Sequence, residues 1–175
     1  NLCGHQLNPW ELHAGVSIPS YACGPDNRGF KGEVEAGSVY AVEPFNTTGK
    51  TGMIENIGGR ESSNIYRVTG NTTSKKARAK GQLKPLGAQM ARNLEERYGT
   101  LPFAERWAYP MLKKPFPEAD EESRQSKWNA LVKKLISIRF IETYHALRCI
   151  DGGTIAQFEH TVHITDGGPE ILTVE

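Results

Sequence analysis

Residues 155–164 read IAQFEHTVHI. Apolar and polar residues alternate through the stretch, the period-2 pattern of a half-buried strand. Yet Gln157, Glu159 and His160 stand in its middle, flanked by Phe158 and Val162. A carboxylate placed there needs a partner, because an unpaired buried charge is very costly. Thr165-Asp166-Gly167-Gly168 follows as a hairpin turn, and residues 170–174 read as the return strand.

Working outward, SVYAVEPF at 38–45 is a second strand, rich in β-branched and aromatic residues. Ile65-Tyr66-Arg67-Val68 is expected beside it. Residues 1–36 are rich in Gly, Pro and Asn and read as loops joining short extended pieces such as 15–19. The texture changes near residue 75. Leu86, Met90, Leu94 and Tyr98 recur at helical spacing over 83–98. Over 123–140, Trp128, Leu131, Val132, Leu135 and Ile136 share one helical face, with Ser123 as the expected N-cap. Pro110, Pro115 and Pro117 separate the helices. The order of loops, strands, helices and hairpin predicts an α+β fold with a helical lobe set between β segments.

The 175 residues suffice for one domain with a real core. Lysine plus arginine number 21 against 20 acids, so the net charge of +1 gives no sign of a nucleic-acid or anionic-membrane surface. The basic run Lys75, Lys76, Arg78, Lys80 reads as solvated linker. Cys3, Cys23 and Cys149 are odd in number and scattered, which indicates neither a zinc knot nor a disulfide framework but reduced thiols in a cytosolic protein. Asn46-Thr47-Thr48 and Asn71-Thr72-Thr73 match the glycosylation sequon by chance. No apolar run approaches the ~20 residues that span a bilayer.

His5, His13, Glu43, Gln157 and Glu159 are the residues that could carry chemistry. Gly4 before His5 permits close backbone approach. Glu43 interrupts an apolar run and precedes Pro44. One imidazole and two carboxylates from separated segments suit a divalent transition metal, and two carboxylates suit a pair of them. Each residue also has an ordinary reading: a histidine after glycine is more often simply hydrogen-bonded, and a strand glutamate edge-facing or salt-bridged. Glu159 and His160, being adjacent in a strand, face opposite sides.

Four motifs in order, GHQLNPWELHAG, VYAVEPFNTTG, YGTLPFAERW and IAQFEHTVHI, resemble the C-terminal half of an archaeal-type methionine aminopeptidase of type II. The resemblance runs from Gly4 to Glu175. It implies half of a pita-bread fold, with residues 1–74 as the first part of the catalytic half, 75–145 as the inserted helical subdomain of type II, and 146–175 as the closing hairpin. It implies two divalent ions, Co, Mn, Fe or Zn, with His5, Glu43 and Glu159 among their ligands. Glu43 would also serve as general base, and His13 would contact the substrate carbonyl and the oxyanion that forms from it. Leu12, Pro102 and Tyr144 would line the methionine pocket, with Gln157 beside the site. Asn64 stands where the family usually has a third histidine. The implied reaction is removal of the N-terminal methionine from nascent chains in the cytoplasm, with no membrane role; contact with the ribosome exit, where nascent chains emerge, is not decided by the sequence.

Two aspartate ligands of that family are missing. Asp26, Asp120, Asp151 and Asp166 are the aspartates present, and none lies in the expected strand context. The chain opens Asn1-Leu2-Cys3-Gly4-His5 with no methionine. It is therefore expected to need a complementary N-terminal half or subunit carrying those aspartates, and to be inactive alone. A non-catalytic pita-bread protein that binds RNA or ribosomes is the competing reading, although near-neutral charge speaks against an RNA role. A peptidase acting on X-Pro bonds is a third, without the YGTLPFAERW lobe as its mark.

Overall fold

The computed structural model describes residues 2–20, 33–57, 62–69 and 81–174. Cys23, Asp26, the 71–73 sequon and the basic run at 75–80 lie outside these residues. The described chain divides into two compact units, Asn1–Asn56 with Leu147–Glu175, and Ile57–Ala146.

The first unit is built from strands. β1 (Cys3–Leu7), β2 (Ser17–Pro19), β3 (Val39–Val42), β11 (His160–Thr165) and β12 (Gly168–Ile171) form a sheet in the order β12-β11-β3-β1-β2. Its pairings are antiparallel. β4 (Phe45–Thr47) pairs with β10 (Ile155–Gln157), and β5 (Ile54–Asn56) with β9 (Leu147–Cys149). The expected hairpin closes with Thr165 opposite Gly168 around Asp166-Gly167.

The stretch at 155–164 is not one strand but two, β10 and β11, interrupted at Phe158 and Glu159. The segment opposite is interrupted in the same place, at Glu43 and Pro44. Register is kept across the gap: Ile155 faces Thr47, Gln157 faces Phe45, His160 faces Val42 and His163 faces Val39. Pro44 supplies the reason, since it has no N–H to give to a ladder. Its carbonyl still accepts from Phe158 N–H at 3.2 Å.

Gly4 is the second device that shapes this sheet. A Cβ there would collide with the Ala41 carbonyl oxygen and crowd the Glu43 nitrogen. Only glycine lets β1 lie this close to the end of β3. Tyr40 and Ala41 are buried in β3, and His5 is buried beside them.

The second unit holds the helices and the larger core. β6 (Ser62–Val68) lies between β7 (Pro102–Ala104) and β8 (Ile141–His145). Thus Ile65–Val68 pairs with β7 and β8 and not, as expected, with the strand at 38–45. α1 (Pro85–Tyr98) starts with proline at its first turn and stops at Gly99, whose φ is 56°. A short helix α2 (Glu105–Ala108) and a 3-10 turn (Tyr109–Leu112) lead on. α3 (Glu121–Ser137) is capped by Asp120, whose side chain accepts from Ser123 N–H at 2.7 Å. Ser123, the expected cap, is the residue capped.

Met90, Ala91 and Leu94 of α1 pack in one core with Trp128, Val132 and Leu135 of α3 and with Tyr66, Val68 and Phe103 of the sheet. Leu131 packs against that core, while Ile136, expected on the same face, is 36% exposed. Truncating a fully buried leucine such as Leu135 would cost roughly 2–5 kcal/mol, the transfer and cavity terms together. Among the described residues no helix is long and apolar enough to cross a membrane.

Candidate metal centre

The site lies in the first unit, where β1, β3 and the β10–β11 break meet. His5 is opposite Ala41, and Ala41 is opposite Thr161, so the three share a sheet face. The next positions on that face, two residues along, are Glu43 on one strand and Glu159 on the other. Continuing the register through the gap sets Glu43 opposite Glu159.

His5 Nε2 lies 3.0 Å from Glu43 Oε1. Gln157 Nε2 donates to Glu43 Oε2 at 2.9 Å. Ser20 Oγ donates to the Glu43 carbonyl at 2.8 Å, tying β2 to the same residue. The His13 ring stacks at a tilt on His5, centroids 4.2 Å apart. His13 reaches it because the chain folds back between them: Asn8 and Glu11 exchange backbone bonds, and Ala14 N–H donates to the Gln6 carbonyl at 2.9 Å. Leu12 is half-buried on this return.

The electrostatics are those of crowded carboxylates. Burial pushes the Glu43 carboxyl above its ordinary 4.5, and the Glu159 charge pushes it further; His5 and the Gln157 amide pull it back. Like charges directly opposite on a sheet repel. The expected buried charge at Glu159 is not what forms, since Glu159 is exposed and Glu43 is the more enclosed carboxylate.

The donors fit a cation in their chemistry. His5 has an oxygen acceptor at each ring nitrogen, the Gln6 carbonyl 3.3 Å from Nδ1 and Glu43 at Nε2. A neutral imidazole carries one N–H and satisfies only one of them. With Nε2–H given to Glu43, ligation of a metal through Nε2 would move that proton to Nδ1, where the Gln6 carbonyl can accept it. The set is still incomplete: among the described residues no group of three or more His, Cys, Asp or Glu side chains is placed to hold an ion.

The described aspartates are engaged elsewhere. Asp120 caps α3, Asp151 accepts from Thr51 N–H and from the Cys149 thiol, and Asp166 sits in the hairpin turn. Cys3 and Cys149 are free thiols. His160, next to Glu159, contacts Thr173 Oγ1 at 2.9 Å instead of the site. Pro102, Tyr144 and Asn64 belong to the second unit, on β7, β8 and β6. Ser20 and the amide bond of Gln157 to Glu43 escaped sequence reasoning, because both depend on a pairing that no local pattern encodes.

No protein-family model matches the sequence. The chain is similar to the methionine aminopeptidase of Methanothermobacter thermautotrophicus, 32% identical over 173 residues that cover 99% of this chain and 48% of that protein. The methionine aminopeptidase of Pyrococcus horikoshii is 31% identical over 173 residues, 99% of this chain and 50% of its own length. Methionine aminopeptidase 2 of Schizosaccharomyces pombe is 27% identical over 175 residues and 34% covered. Among solved structures, a thermophilic Arx1 superposes with a TM-score of 0.61 at 20% identity, over 96% of this chain and 38% of the other, which supports a pita-bread-like mixed α/β fold. The chain spans about half the length of the archaeal relatives it matches, and over that span, nearly its whole length, it is a homologue of the methionine aminopeptidases.

Proposed function

We propose that this chain forms the C-terminal catalytic half of a methionine aminopeptidase, a metallohydrolase that removes the N-terminal methionine from nascent proteins in the cytoplasm. The observation that carries the reading is the meeting of His5, Glu43 and Gln157, with Glu159 opposite, on one sheet face of a chain 32% identical to such an enzyme.

His5, Glu43 and Glu159 would hold part of a centre for two divalent ions, drawn from Co, Mn, Fe or Zn. When bound, such ions polarise the scissile carbonyl and make hydroxide available near neutral pH. Glu43 would take the proton of the attacking water and return it to the amine that leaves as the peptide C–N bond breaks. His13, beside His5, would donate to the oxyanion that develops on the carbonyl. Leu12 would contact the methionine side chain, and Gln157 would border the same space. The helices of the second unit would be the type II insertion.

The remaining ligands, two aspartates, would come from a complementary half. Two findings support this: the chain covers about half of its relatives, and the described aspartates are held elsewhere. The test is to mix the chain with the N-terminal half of an archaeal relative and to follow methionine release from Met-Ala-Ser with Mn(II) or Co(II). Release by the mixture and by neither half alone is the expected result. No release together with no association of the halves would overturn it.

The second reading is a non-catalytic protein of the same fold that binds RNA or the ribosome. The incomplete donor set among the described residues favours it. Metal analysis of the assembled protein separates the two, because a binding module has no need of bound transition metal.

A further inference from the structure

We propose that Gln157 is a positioning residue that fixes the Glu43 carboxylate, and does not act mainly as a wall of the substrate pocket. The Glu43 carboxylate is held at both oxygens, by His5 of β1 at 3.0 Å and by Gln157 of β10 at 2.9 Å. Gln157 lies opposite Phe45, two residues beyond Glu43 on the same side of the strand, so its amide reaches back diagonally along the break. That diagonal matters because the terminal torsion of a glutamate is broad and weakly defined. Tethered at one oxygen only, the carboxylate would turn away from Glu159, whose charge pushes on it. Gln157 opposes that turn.

The residue type suits the task. An amide of this length donates without charge. Lysine or arginine would neutralise the carboxylate and repel a cation, and glutamate would add a third negative charge to the cluster. One N–H of its amide is engaged with Glu43 at 2.9 Å.

The consequence for metal affinity rests on the proposed function, whereas the clamp does not, and the experiment separates them. Gln157 is exposed, so Gln157→Met keeps length and fold while removing the donor, and Gln157→Glu serves as the second variant. The first readout needs no metal: the side-chain carboxyl 13C resonance of Glu43 and the ring 15N resonances of His5. Both should shift in each variant and the Glu43 signal should broaden, with the backbone amide spectrum of the sheet retained. Unchanged Glu43 and His5 signals in a folded variant would overturn the clamp. The second readout is the visible absorption of Co(II) titrated into the chain joined by its complementary half. The dissociation constant should rise about 10- to 100-fold in Gln157→Met, with an altered band shape, as when a group orienting a ligand is lost. A variant that binds Co(II) as the wild type does would overturn the effect of the clamp on metal affinity. Failure of the wild type itself to bind Co(II) would sink the cation reading and leave the clamp to the resonance measurement.

Discussion

Glu43 and Glu159 face each other at the break in an antiparallel ladder that keeps a single register on both sides, from Ile155 against Thr47 to His163 against Val39. The chain places two like charges where pairing is lost and where Pro44 cannot donate. Such a pair destabilises a sheet by a few tenths to about 1 kcal/mol. Without divalent ions, Glu159→Gln should therefore raise the unfolding midpoint by that order. Glu43 has a raised folded pKa, so its contribution is full below its unfolded value of 4.5 and is lost as pH rises through the folded value. The substitution should flatten this decline. On the proposed function it should also reduce the stabilisation that Mn(II) would give the chain joined by its complementary half, since ligand-linked stability scales with affinity. Urea unfolding with EDTA and with Mn(II), from pH 4 to 8, reads both effects. A less stable, metal-free Glu159→Gln would show that Glu159 has a favourable partner.

Arg139 has φ 53° directly after α3. Its N–H donates to the Ile136 carbonyl and the Phe140 N–H to the Leu135 carbonyl, each at 2.8 Å, the two bonds that close a helix around a left-handed residue. Leu135 and Phe140 are both buried, so the closure is anchored in the core. A side chain in this conformation costs about 1 kcal/mol relative to glycine. Arg139→Gly should gain about that much in thermal unfolding, and Arg139→Val should lose stability, because branching at Cβ worsens the clash. Equal midpoints for the three proteins would contradict the assignment.

Local signals in the sequence located α1, α3 and the hairpin turn, because apolar spacing and turn residues act over a few positions. Distant pairings were not legible. Ile65–Val68 has the composition to join any sheet, and only the assembled chain selects β7 and β8 over β3. The alternation at 155–164 was equally blind to Pro44 across the ladder, which splits the strand and leaves Glu159 exposed. At the start of α3 two capping residues competed, and Asp120 prevailed by accepting from Ser123. Glu43 was identifiable as a polar interruption of an apolar run, His5 by the glycine before it, and Gln157 as a polar residue within the alternation at 155–164. Their mutual contacts were not, since each comes from a different strand.

Asp120 is held below its ordinary 3.8 chiefly by its bond from Ser123 N–H. A depressed carboxyl contributes stability that is fully present above the unfolded value and fades as pH falls through the folded one. Asp120→Asn keeps an acceptor but removes the charge that favours a helix start. The difference in unfolding midpoint between Asp120→Asn and wild type should be visible at pH 7 and vanish near pH 2. A gap that persists in acid would mean that the charge is not what Asp120 contributes.

Gly4 links the fold to the chemistry. Any Cβ at this position meets the Ala41 carbonyl, and the obstacle is backbone, which cannot rotate away as a side chain could. Gly4→Ala must move β1 off β3, and His5, the next residue, moves with it. The crowding should cost roughly 1–3 kcal/mol, the range for overpacked interiors. The same shift should lengthen the 3.0 Å contact between His5 and Glu43, so the His5 ring 15N resonances should change even where the protein stays folded. Gly167→Ala is the control: a Cβ there meets only the Thr165 hydroxyl at 3.7 Å, and stability should stay within about 0.5 kcal/mol of wild type. If Gly4→Ala matched the control in urea unfolding and left His5 unperturbed, the close approach of β1 to β3 would not be what brings the imidazole to the carboxylate.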